Sequence, residues 1–188
     1  AIPNPQSGFT DVKSSCFYKN TWAHDYGKSV SFTNNWLVVL SAWSVIVYKR
    51  VLNNWVFTQT FTPGGYLKSM DSNDRFIAVS MSTDNVGRDP KVFIYEVSPD
   101  GKSWVQRTDP GNNDDSGYFW EGARGISWAN GGGFGANANS VSMNENNFLF
   151  VGAGDLNGVF VYWLNPDLTY PGKAGGKWVE ANYNFVGN

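Results

Sequence analysis

The sequence predicts an all-β fold in which about three and a half copies of a four-stranded antiparallel unit repeat, a β-propeller-like array. Three observations carry this. A strand–turn–strand segment recurs along the chain, each copy is followed by a third strand ending in tyrosine and then by a tryptophan, and no window sustains the apolar i, i+3, i+4, i+7 spacing of a helix. A β-sandwich, which also has short strands at regular spacing, is the alternative. Repetition of whole four-strand units favours the propeller.

The first clear copy is Ser29–Leu40, an alternating segment, an Asn-rich turn and an apolar run. It returns as Ser140–Val151, and a weaker version, Ser69–Val79, lies between them. An alternating segment, a polar turn and an apolar run in that order read as two antiparallel strands joined by a tight turn. Val45–Tyr48, Val92–Tyr95 and Val159–Tyr162 are the third strands, and Trp55, Trp104 and Trp178 mark the fourth. The Tyr-to-Trp turn varies in length, because surface-loop insertions cost only about 0.6 kcal/mol per doubling. The units therefore run 28–63, 64–130 and 131–188. The N-terminal segment, 1–27, holds a partial unit, in which Cys16, Phe17, Tyr18 and Trp22 match the tyrosine–turn–tryptophan half. A half unit leaves a raw strand edge, which proteins normally pair or cover. The 14–25 hairpin is therefore expected to pair with strands of another chain or with the C-terminal segment, making these four residues a candidate assembly edge.

Composition narrows the function. With 13 Phe, 9 Trp and 9 Tyr against only 16% charged residues, the chain is globular rather than disordered. One histidine, His24, and one cysteine, Cys16, are too few for a zinc site made of those residue types. They fall on opposite faces of the predicted hairpin, so a Cys–His nucleophilic pair is not expected. A net charge of −2 with no basic run beyond Lys49-Arg50 leaves no electrostatic footprint for nucleic acid. The longest apolar stretch, Trp36–Tyr48, is broken by Ser41 and Ser44 and is shorter than the ~18 residues of a membrane helix. The chain opens Ala1-Ile2-Pro3 without methionine, as expected if a segment was removed, which cleavage of a secretory leader would explain, or if the sequence is a piece of a longer one.

The third unit carries Phe134-Gly135, then Ser140–Met143, Phe150–Asp155 and Asn157–Tyr162. This pattern resembles the FG-GAP-type repeat, well over 131–182, fairly over 27–63 and weakly over 64–130. The resemblance implies the blades of integrin-α-like propellers, found in secreted and surface proteins, and function by binding. It also implies an Asp-rich calcium loop between the second and third strands. Here that loop is Ser41–Ser44 in the first unit and Gly154–Gly158 in the third. Only Asp84, Asn85 and Asp89 in the second unit are candidate ligands. Calcium takes six to eight oxygens, so an ordinary Asp/Asn/Gly hairpin turn is the better reading, and no metal or cofactor is expected.

The insert 107–133 is the candidate binding region. Among its glycines stand Tyr118, Trp120, Glu121, Arg124 and Trp128. Exposed Tyr and Trp offer flat apolar faces with a polar edge, suited to stacking on a sugar or anchoring a protein. The competing reading is that Phe119, Trp120, Ile126 and Trp128 fold back to fill space between blades. The adjacent Asp114 and Asp115 resemble a solvated turn rather than the separated carboxyl pair of a glycosidase. The recurring Trp55, Trp104 and Trp178 are expected to pack blades, whereas Trp36, Trp43 and Trp163 do not recur and are freer for surface contact. The expected protein is thus a non-enzymatic extracellular or cell-surface structural or adhesion protein. Its partners are protein chains, including its own copies. A carbohydrate-binding lectin using the insert's aromatics is the alternative, and a polysaccharide hydrolase the third reading.

Overall fold

The computed structural model describes residues 26–81, 91–107, 120–121, 138–153, 158–167, 177–181 and 185–186. The described residues are all β, in three antiparallel sheets with no helix. The first sheet holds β1 (Ser29–Phe32), β2 (Trp36–Leu40), β3 (Val45–Val51) and β4 (Asn54–Phe61), paired in that order. The second holds β5 (Leu67–Ser72), β6 (Phe76–Met81), β7 (Lys91–Val97) and β8 (Trp104–Gln106), with β9 (Trp120–Glu121) also on β7. The third holds β10 (Ala138–Met143), β11 (Phe148–Ala153), β12 (Gly158–Asn165) and β13 (Lys177–Glu180), with β14 (Phe185–Val186) also on β12.

The repeat extends to individual hydrogen bonds. In the β1–β2 turn Thr33 Oγ1 accepts from the backbone N–H of Asn35 and Trp36. Asn73 Oδ1 does the same for Arg75 and Phe76, and Asn144 Oδ1 for Asn146 and Phe148. Short polar side chains mimic a backbone acceptor at such turns, which is why Thr and Asn stand there. The carbonyls of Asn35, Arg75 and Asn147 then accept from the N–H of Arg50, Val97 and Leu164, tying each turn to its third strand.

The fourth strands differ. β4 runs unbroken beside β3, absorbing one bulge at Val47/Tyr48. In the second sheet β8 pairs the end of β7 and β9 its beginning, and in the third sheet β13 and β14 divide β12 the same way. The insert after Arg107 therefore returns to the outer track of its own sheet at Trp120, instead of lying wholly between two units.

Each sheet has two faces, because side chains alternate along a strand. The front face of the first sheet, Trp36, Val38, Leu40, Val45 and Val47, packs on the rear face of the second, Ile77, Val79, Met81, Phe93 and Tyr95. The front of the second, Phe76, Ala78, Val92 and Ile94, packs on the rear of the third, Leu149, Val151, Phe160 and Tyr162. Every residue of β6 is buried, as expected of a strand covered on both faces. Aromatic pairs repeat across the two interfaces. Trp36 meets Trp104 edge-on at 5.1 Å between centroids, and Phe76 meets Trp178 edge-on at 5.4 Å.

Trp36, expected to be free for surface contact because no Trp recurs at its site, is instead buried at 3% exposure. The matching Phe76 fills the same place in the next interface, so it is an aromatic ring that recurs there, not the indole. Between the first two sheets the chain turns through Gly64 and Gly65, both at positive φ. A Cβ on Gly65 would strike the Met81 side chain, so only glycine fits that crossing.

Candidate functional site

Three surfaces of the described residues combine chemistry with access: a polar seam, two apolar end faces and one aromatic–basic patch. The seam forms where the first strands of the sheets, β1, β5 and β10, lie side by side. Their alternation places Ser29, Ser31, Ser69, Asp71 and Ser142 toward one another. Asp71 Oδ1 accepts from Ser31 Oγ at 3.0 Å and from the Ser72 N–H at 2.8 Å. Its Oδ2 accepts from Ser142 Oγ at 3.2 Å and from the Met143 N–H at 2.8 Å. One carboxylate thus links all three sheets, and each oxygen has two donors. Ser72 Oγ adds a bond to Ser31 Oγ, and Ser29 Oγ donates to the Met70 carbonyl. Asn73 Nδ2 reaches across to the Asn144 carbonyl and Asn147 Oδ1. A carboxylate so committed locks sheets together and is poorly placed for acid–base work.

The end faces are the surfaces that the stacking leaves over. On the rear of the first sheet Val39, Ile46 and Tyr48 are buried, with Tyr26, Leu37 and Trp55 packed against them. Around them Val30, Phe57 and Phe32 stand 55%, 54% and 75% exposed. Phe32, Leu37, Tyr48 and Phe57 occupy one cross-strand row of this face. On the front of the third sheet Phe148 pairs with Trp163, Phe150 with Val161 and Gly152 with Val159. Phe148 is 36% exposed, and Phe150, Val159 and Trp163 are half-buried. Among the described residues no sheet lies against either face.

The patch lies where the first sheet hands over to the second. Trp43, 48% exposed, meets Tyr66 edge-on at 5.7 Å. Lys28 Nζ stands 3.8 Å from the Tyr66 ring centre and Lys68 Nζ 5.2 Å from it. Lys28 Nζ also donates to the Leu67 carbonyl. Opposite charge balance appears elsewhere, where Glu96 accepts from Arg75 and from the buried Arg107. The Tyr95 phenol, stacked on Phe61 in the core, has its pKa raised by burial and stays protonated through ordinary pH.

Of the residues singled out in the sequence, Trp104 and Trp178 are buried in the sheet interfaces and Trp55 is half-buried on the rear face of the first sheet. Trp120 and Glu121 sit on β9, opposite Val92 and Lys91. Tyr118, Arg124 and Trp128 lie outside the described residues, as do Cys16, Phe17, Tyr18, Trp22 and the calcium candidates Asp84, Asn85 and Asp89. Among the described residues no group of three His, Cys, Asp or Glu side chains is placed to hold a metal ion. Nor is any helix among them long and apolar enough to cross a membrane. Sequence reading missed Asp71, Phe32 and Phe148. The signal for Phe32 was its phase: it shares a strand face with Val30 while the serines between take the other. No protein-family model matches this chain, and no curated protein is significantly similar to it.

Proposed function

We propose that this chain is a non-enzymatic structural or adhesion protein, working outside the cell or on its surface through contacts with other protein chains. Its three sheets are read as blades of a propeller-like array of the FG-GAP kind. The observation that carries the reading is the pair of apolar end faces, with Phe32 at 75% exposure the extreme case. Large exposed apolar patches mark contact surfaces, because water does not reward leaving them bare. The inner strands β1, β5 and β10 running side by side, with successive sheets packed front to rear, support the propeller-like arrangement.

A second reading, carbohydrate binding, is favoured by the Trp43 patch. An exposed indole beside a tyrosine and two lysines suits a sugar ring bearing a carboxylate or sulfate. Beads coated with the chain distinguish the two. They are expected to adhere to cells or to one another in excess free sugar, and to lose adhesion when coated with Phe32→Glu. Adhesion abolished by acidic oligosaccharides and by Trp43→Ala would establish the second reading instead. Beads that adhere to nothing would contradict both.

A further inference from the structure

Three short pieces of chain bring an exposed aromatic pair and two cations to one spot beside the crossing from the first sheet to the second. Trp43 stands in the β2–β3 turn, and that turn is tightly held. Ser41 Oγ accepts from the Ser44 N–H at 3.0 Å and meets Ser44 Oγ at 2.8 Å, while the Ser41 N–H donates to the Ser44 carbonyl. The Ala42 carbonyl accepts from the Leu67 N–H at 2.8 Å, which docks the turn on the first residue of β5. Tyr66 follows Gly65, whose positive φ and tight approach to the Met81 side chain set the direction of the crossing. Lys28, just before β1, is fixed from the other side, its Nζ donating to the Leu67 carbonyl at 2.8 Å. The buried Leu67 thus ties the Trp43 turn and Lys28 together at the base of Tyr66.

The charge at this spot is uncompensated. Lys28 Nζ and Lys68 Nζ both lie within 5.2 Å of the Tyr66 ring centre. Among the described residues neither lysine has a carboxylate within ion-pair reach, and Lys68 Nζ has no hydrogen-bond acceptor. Two ammonium groups gathered on one ring repel each other until an anion joins them. Each ammonium has three donors, of which Lys28 uses one on Leu67 and Lys68 none. Beside these donors Trp43 offers a flat, exposed apolar face, with Tyr66 edge-on against it at 5.7 Å. A small inorganic anion makes no use of such a face, and a hydrocarbon makes none of the lysines. A pyranose bearing an acid group uses both, with C–H groups on one side of its ring for the indole and an oxyanion at its rim for the ammonium groups.

We propose that this patch is a binding site for an acidic pyranose, the sugar's C–H face lying on the Trp43 indole and its carboxylate or sulfate held by Lys68 and Lys28. The proposal rests on the carbohydrate-binding reading and adds to it the acid group as the determinant of selection. Because the turn and Lys28 are held in place without the ligand, little ordering opposes binding.

Calorimetric titration of the chain with a galacturonate oligomer, dextran sulfate, neutral dextran and polyglutamate tests the proposal, and the first two ligands tell a carboxylated sugar from a sulfated one. An acidic saccharide is expected to bind about tenfold or more tightly than dextran or polyglutamate. Trp43→Ala should weaken that binding about tenfold. Lys68→Gln should weaken it several-fold and flatten its decline with added salt, which screens the ammonium charge. A lysine that only supported the fold would leave the salt dependence unchanged. Both positions are exposed, and circular dichroism verifies that each variant keeps its fold. If Trp43→Ala unfolds, Trp43→Leu, which keeps bulk without the flat ring, takes its place. Polyglutamate bound as tightly as the acidic sugars, or an affinity unchanged in Trp43→Ala or in Lys68→Gln, would overturn the proposal. Neutral dextran bound as tightly as the acidic sugars, and lost in Trp43→Ala, would sink the requirement for the acid and leave the carbohydrate reading standing. An intact chain that binds no saccharide defeats both.

Discussion

Asp71 shows how much of this architecture rests on one side chain. Its carboxylate takes two donors on each oxygen, from all three sheets, including the backbone N–H groups of Ser72 and Met143. Removing it strands those donors at a half-buried seam. Asp71→Ala is expected to lower stability by about 3 kcal/mol in urea unfolding, and Asp71→Asn by about half as much, since the amide keeps one accepting oxygen. Asp100 makes a smaller, pH-dependent contribution. Its carboxylate accepts from the Ser98 hydroxyl at 2.6 Å and the Lys102 N–H at 3.1 Å, and these bonds hold its pKa below the usual value of 3.8. A carboxyl whose folded pKa is depressed stabilises the fold above its unfolded pKa and ceases to as the pH falls through the folded one. NMR titration should therefore place the Asp100 midpoint below 3.8, and Ser98→Ala should move it upward.

At the level of strands and turns, the repeat makes comparative predictions. The β3–β4 turn passes through Leu52 at φ +56°, with its side chain in water. A branched residue in the left-handed region costs roughly 1–2 kcal/mol, which Asn and Gly largely avoid. Leu52→Asn is expected to raise the thermal midpoint, corresponding to about 0.5–1 kcal/mol. In the first interface Trp36→Phe should cost under about 1.5 kcal/mol, because Phe76 does the same work in the second, whereas Trp36→Ala should cost about 3–5 kcal/mol. Denaturation of the pair measures the difference. The strands themselves were legible in the sequence, because alternation and the Tyr–Trp spacing are local signals. The division of the outer strand into β8 and β9 was not, since β9 is two residues long and exists only by pairing with β7. The roles of Trp36 and Asp71 were hidden for a related reason. Each is decided by what the next sheet brings against it. Comparing identities along the chain set Trp36 apart from Phe76, whereas packing treats the two as equivalent rings.

At the scale of the whole molecule, the described residues form a stack of three sheets. The second sheet is covered on both faces, and each neighbour is covered by it on one. Among the described residues no further sheet lies against the rear of the first sheet or the front of the third, where Phe32 and Phe148 are exposed. Among the described residues, Trp36, Phe76, Trp104 and Trp178 serve the internal interfaces, whereas Phe32 and Phe148 stand exposed on the outer faces. The most direct test is amide hydrogen exchange of the unsubstituted chain. Exchange should be slowest in the second sheet, which its neighbours cover on both faces, and faster in the first and third. Exchange in the second sheet as fast as in the first and third would contradict the account.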